Sequence, residues 1–93
     1  MIKTFKDKET EKVFHAQFSR RLPYSIQRIA LRKLIYINSA ETLNDLKIPP
    51  ANHLEALSGD RKGFYSIRIN SQYRICFRFE GKDFYDVEII DYH

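Results

Sequence analysis

Two periods of hydrophobic recurrence divide the chain. The first half repeats at helical spacing: Asp7 precedes Lys8-Glu9-Thr10-Glu11 as a capped helix start with acids in its first turn, predicting a helix to about Phe18. A second helix opens near Pro23 and runs to about Asn38, with Ile26, Ile29, Ala30, Leu34 and Ile37 as its apolar stripe. Ser39 to Leu46 reads as a short third helix capped by Ser39, and Pro49-Pro50 stop it and predict an extended loop. Beyond the prolines the period falls to two. Leu54 to Leu57, Phe64 to Ile69, Tyr73 to Phe79 and Phe84 to Ile90 read as strands, separated by Ser58-Gly59-Asp60, Asn70-Ser71 and Gly81-Lys82-Asp83 turn signals. Ile2 to Phe5 alternates weakly, as an edge strand would. Helices followed by a meander predict an α+β fold with the helices on one face of a small, mostly antiparallel sheet.

The length of 93 residues suits one domain, 1–93, with a modest core, and predicts a shallow surface groove as the active site. Cys76 is the only cysteine, so the chain has neither an internal disulfide nor a CxxC zinc site, and a reducing compartment is expected. No apolar run approaches the roughly 20 residues that span a bilayer, and the start lacks an export-signal pattern, so a cytoplasmic location is expected. Net charge is +4, and it is uneven: residues 1–37 carry nine Lys/Arg against three Asp/Glu, and the remainder seven against nine. In a helix, Arg21, Arg28 and Arg32 stack on one face as a basic ridge suited to a polyanion.

Strand alternation puts Ile75, Phe77 and Phe79 on one face and Arg74, Cys76 and Arg78 on the other, with Arg68 and Ser66 on the arginine side of the preceding strand. Two readings stand: a cationic sheet face for a phosphate backbone, or a solvated face whose arginines pair with acids such as Glu80 and Glu88. The last strand runs straight into Asp91-Tyr92-His93, which offers an acid, an aromatic and an imidazole at the chain end.

The segment Leu54-Glu55-Ala56-Leu57-Ser58-Gly59-Asp60-Arg61, the later Tyr65-Ser66-Ile67-Arg68 and Tyr73-Arg74-Ile75, and the closing Asp91-Tyr92-His93 together resemble HigB-type toxins of the RelE/ParE superfamily. The start Met1-Ile2-Lys3-Thr4-Phe5 is similar to theirs as well. This resemblance spans nearly the whole chain. It implies a type II toxin that cleaves messenger RNA on the ribosome without metal or cofactor, and that is silenced by a helix-turn-helix, HigA-type antitoxin.

By matched position, His93 and Asp91 resemble the family's acid/base pair, Tyr92 its base-orienting aromatic, and Arg74 the arginine at the scissile phosphate. Arg61 lies in the shared Gly-Asp-Arg turn, where it holds RNA or fixes the loop; Arg68, Arg21, Arg28 and Arg32 are further RNA-binding candidates. Other members carry a histidine where Glu55 stands and a lysine where Ser58 stands. Glu55 is therefore either a replacement base, with His53 sharing its face if the stretch is a strand, or a partner for Arg61 or Arg74. His15 reads as structural or surface. A non-catalytic toxin acting on DNA gyrase and a simple RNA-binding module are the rival readings.

Overall fold

The computed structural model describes residues 1–92, so His93 lies outside the described residues. Three helices precede a four-stranded antiparallel sheet in the order β1-β2-β3-β4. The helices are α1 (Lys8–Phe14), α2 (Tyr24–Ser39) and α3 (Leu43–Lys47); the strands are β1 (Glu55–Ala56), β2 (Phe64–Arg68), β3 (Tyr73–Glu80) and β4 (Asp83–Asp91). The α+β expectation is met, with both main helices on one sheet face.

Asp7 caps α1 by accepting from the Thr10 amide at 2.7 Å. The helix ends four residues earlier than its pattern suggests. Ala16 adopts φ 60°, and the Gln17 and Ala16 amides turn back to the Lys12 and Val13 carbonyls at 2.8 and 3.0 Å. This closure satisfies the last carbonyls and ends the helix whatever the residues beyond would favour. Arg21 consequently lies in the loop before α2, so only Arg28 and Arg32 of the expected ridge stand on the helix.

The third helix is also displaced. Ser39 is the last residue of α2, its hydroxyl donating to the Tyr36 carbonyl, and Thr42 caps α3 through a reciprocal pair with Asp45. Instead of an extended loop, Pro50–Asn52 form a turn of 3-10 helix, which accepts proline at its first position.

Ile26, Ala30, Leu34 and Ile37 pack with Val13 and Leu46 against Ile67, Ile75, Phe77, Phe84, Val87 and Ile89. Asp86, at φ 53°, bulges β4 between the Arg78↔Tyr85 and Cys76↔Glu88 pairs. The extra residue resets the alternation, so Phe84 and Val87 both reach the core although they are three apart. The expected edge strand at Ile2 to Phe5 runs parallel to β4, meeting it at Phe84 and Val87 on either side of the bulge, which keeps it from forming a continuous ladder.

Candidate active groove

The sheet face away from the helices carries the candidate chemistry. In the β2/β3 register Arg68 lies directly opposite Arg74, and Ser66 opposite Cys76, so these four share a face. A groove of about 420 Å³ opens there, lined by His53, Glu55, Arg68, Asn70, Arg74 and Tyr92 among others.

Arg74 is only 6% exposed, and its environment fixes it rather than leaving it on a solvated surface. Its Nε donates to Ser66 Oγ at 2.8 Å, and its Nη2 donates to the His53 carbonyl. Nη1 meets the Glu55 carboxylate at 3.3 Å, and the guanidinium lies 5.5 Å from the Tyr92 ring centre. Two anchored nitrogens hold the plane, so the Nη1 edge faces the groove. Glu55, with 48% of its side chain exposed, is free to rotate away and admit another anion. The arrangement thus realises the pairing alternative for Glu55.

His53 reaches the groove by a different route from the one its spacing suggests. It closes the Pro50–Asn52 turn at φ 45°, outside the two-residue β1, so it shares no strand face with Glu55. Tyr92 is placed by its amide, which donates to the Gln72 carbonyl at 2.6 Å. Asp91 pairs with Tyr73 in register and so faces the other side of the sheet from Arg74; its carboxylate accepts from Gln72 Nε2 at 3.1 Å.

The remaining arginines of the C-terminal half divide. Arg68 lines the groove, and its side chain has no ion pair among the described residues. Arg61 pairs with Glu88 at 2.9 Å and lies over the Phe64 ring, so in this structure it ties down the Gly59–Arg61 turn. Arg78 pairs with Glu80 and Asp86 and stacks on Tyr85, away from the groove lining. Of the three arginines on that face, pairing with Glu80 and Asp86 withdraws Arg78, as the solvated-face reading expects, and leaves Arg68 and Arg74 as a two-arginine groove. His15 is an exposed helix cap against Phe14, as expected of a surface residue.

Lys33, which the sequence reading overlooked, is buried beneath this site. Its Nζ donates to the Arg68 carbonyl at 2.7 Å and to Asn52 Oδ1 at 3.0 Å, while Asn52 Nδ2 donates to the Leu46 carbonyl at 3.0 Å. Burial, then the charges of Arg32, Arg68 and Arg74, lower its pKa. This bracket fixes the corner before His53 against β2. Its signal was present, since Lys33 falls seven residues after Ile26 and four before Ile37, inside the apolar stripe.

Cys76 is fully buried next to Arg74 on the same strand, and burial pushes its thiol from 9.0 up to about 11. An acid whose folded pKa is raised loses stability as pH climbs past its unfolded value. Wild-type protein is therefore expected to lose stability from pH 9 toward 11 more steeply than Cys76→Ala, in urea melts across that range. Native Cys76 should also resist alkylation until the protein unfolds.

With the groove described, the comparisons with known proteins decide the family. The family described as RelE-like toxin of type II toxin-antitoxin system HigB matches residues 3–93. The chain belongs to that family. It is 43% identical over 79 residues to Toxin HigB-1 of Vibrio cholerae serotype O1, covering 84% of this chain and 83% of that protein. It is 34% identical over 94 aligned positions to Endoribonuclease HigB of Proteus vulgaris, covering all of both chains. Among solved structures, YafQ from E. coli strain BL21(DE3) superposes with a TM-score of 0.60 at 13% identity, over 98% of this chain and 91% of YafQ. A YoeB/ParE toxin from Agrobacterium tumefaciens gives 0.52 at 18% identity, over 99% and 96% of the two chains. At those identities the structural likeness speaks for the fold. The family match makes this HigB-like chain the toxin of a type II toxin-antitoxin system. No helix among the described residues is long and apolar enough to cross a membrane.

Proposed function

We propose that this toxin is a ribosome-dependent endoribonuclease that cleaves messenger RNA in the groove between β2 and the end of β4. The observation that carries the reading is the pair Arg68 and Arg74, set opposite each other on adjacent strands in one groove. Like charges directly across a ladder cost stability. An anion in the groove offsets that cost, and a phosphodiester beside the Tyr92 ring supplies both the charge and a base to stack.

In the reaction the RNA 2′-oxygen attacks the adjacent phosphorus, the P–O5′ bond breaks, and a 2′,3′-cyclic phosphate and a free 5′-hydroxyl result. The arriving phosphate displaces Glu55 from Nη1 of Arg74, whose other nitrogens stay anchored, so donors are already aimed where negative charge grows. The displaced Glu55 carboxylate or the His53 imidazole then takes the 2′-hydroxyl proton, and His93 protonates the leaving 5′-oxygen. Asp91 acts from the far side of the strand through the chain end it shares with His93. Arg28 and Arg32 on α2, with Arg21 before it, contact ribosomal RNA. A HigA-type antitoxin holds the toxin silent, and the site of action is the cytoplasm, where ribosomes are.

The deciding experiment presents purified toxin to ribosomes translating an end-labelled message. Cleaved fragments ending in 2′,3′-cyclic phosphate and 5′-hydroxyl are expected. Intact message under conditions where the toxin arrests growth would overturn the assignment, and DNA damage with intact message would turn it toward gyrase.

A further inference from the structure

The end of the molecule that carries the α1–α2 connection presents two aromatic rings to solvent. Phe18 is 60% exposed and Tyr24 79%, and their ring centres lie 5.8 Å apart at a 49° tilt. Large aromatic rings so exposed forfeit the burial that normally stabilises them. They flank a shallow recess of about 200 Å³ lined by Val13, Ala16, Phe18, Tyr24, Arg28 and Leu31, among others.

The loop that holds these rings is rigidly built. The buried Gln27 carboxamide accepts from the Ser19 amide at 3.0 Å and donates to the Ser19 and Leu22 carbonyls at 2.7 and 2.9 Å. The buried Ser19 hydroxyl donates to Glu9 at 2.6 Å and accepts from the Arg21 amide at 3.2 Å. A buried clamp of this kind fixes the positions of both rings before any ligand arrives, which lowers the entropy cost of binding.

The charge around them is one-sided. Arg20 and Arg21 stand in the loop, and α2 continues the surface as Tyr24, Arg28, Arg32 and Tyr36, all exposed at four-residue steps. Such steps lie about 6 Å apart along a helix on one face. The α2 segment contains no acid, and the nearby Glu9 carboxylate is engaged by Ser19 and Lys12. A basic track interleaved with exposed aromatic rings matches single-stranded nucleic acid, whose phosphates pair with guanidinium groups and whose bases stack on the rings. A duplex keeps its bases stacked inside and offers the rings nothing.

We infer that Phe18 and Tyr24 form a stacking site for an unpaired RNA base, with Arg20, Arg21 and Arg28 holding the flanking phosphates. This rests on the reading of the α2 ridge as an RNA contact and is separate from the β2/β4 groove. It makes ribosome docking depend on base stacking as well as on charge.

The test uses the purified full chain, without ribosomes, and a short 2′-O-methyl RNA strand carrying 2-aminopurine; without a free 2′-hydroxyl the strand is not cut. A strand of equal charge lacking bases is the control. Wild type is expected to bind the base-bearing strand about tenfold more tightly than the abasic one and to quench the 2-aminopurine. In a Tyr92→Ala background, which takes away the groove's own stacking ring, the advantage and the quenching should persist, and adding Phe18→Ala with Tyr24→Ala should abolish both while keeping the same dependence on salt, because no cation has been removed. Phe18→Leu with Tyr24→Leu keeps the apolar bulk and should behave like the alanine pair, which separates loss of a stacking face from misfolding. Equal binding of the two strands by wild type, or unchanged affinity and quenching in the variants, overturns the inference. So does loss of an acidic helical peptide, but not of RNA, in those variants; that result assigns the surface to a protein partner. The absence of message cleavage by wild type would sink the nuclease reading and leave this binding result standing.

Discussion

Arg74→Ala is expected to lower message cleavage by about 10²–10³-fold, the usual consequence of deleting one preorganised donor at a charged transition state. The size of the effect follows from how the guanidinium is held. Ser66 and the His53 carbonyl fix its plane, so Nη1 is aimed before substrate binds and only the exposed Glu55 carboxylate has to move aside. Arg74→Lys retains the charge but lacks the two anchoring donors, so it should recover binding to ribosomes without recovering the cleavage rate. Because Arg74 is buried, the alanine variant also leaves Ser66 and a backbone carbonyl without a partner, and its melting temperature should fall. Measuring both quantities separates the effects: wild-type cleavage by a variant of lowered stability removes Arg74 from the chemistry.

His93→Ala is expected to cost about 10²–10⁴-fold in cleavage, the range for a general acid or base. Its neighbour Tyr92 is fixed by the backbone bond to Gln72 and lies against Arg74. A proton donor works in only one of its charge states. The pH–rate profile of His93→Ala should therefore lose one limb, whereas Tyr92→Ala, which removes a stacking ring, should lower the rate without flattening the profile. A His93→Ala enzyme that keeps both rate and profile shape would move the acid role elsewhere.

Glu55 ties the two predictions together. Its carboxylate occupies the Nη1 edge of Arg74, so under the proposed reaction Glu55 has to yield to the phosphate before it can serve as a base.

Much of the fold was legible because it rests on local periodicity. The α2 stripe, the four strands and the helices-then-meander order follow from spacings of 3.6 and two, which any buried face imposes on a chain. Element ends were less legible. The chain reversal after Val13 depends on Ala16 in a left-handed conformation, and the α3 start depends on Thr42 and Asp45 capping each other in preference to Ser39. Both are outcomes of hydrogen-bond competition that composition does not rank.

The sequence by itself determined the family, the order of elements and the residue types available for phosphate and proton chemistry, since local pattern and motif are properties of the chain. Tertiary structure decided which of them meet. Four arginines of the C-terminal half look alike in sequence, yet pairing with Glu88, Glu80 and Asp86 ties down Arg61 and Arg78, and strand register sets Arg68 against Arg74. Lys33 falls inside the apolar stripe of α2, but only the packing of α2 brings its ammonium to the Arg68 carbonyl. The reason is that charge partners and burial are set by contacts between residues far apart in the chain, and those contacts exist only once the core has closed.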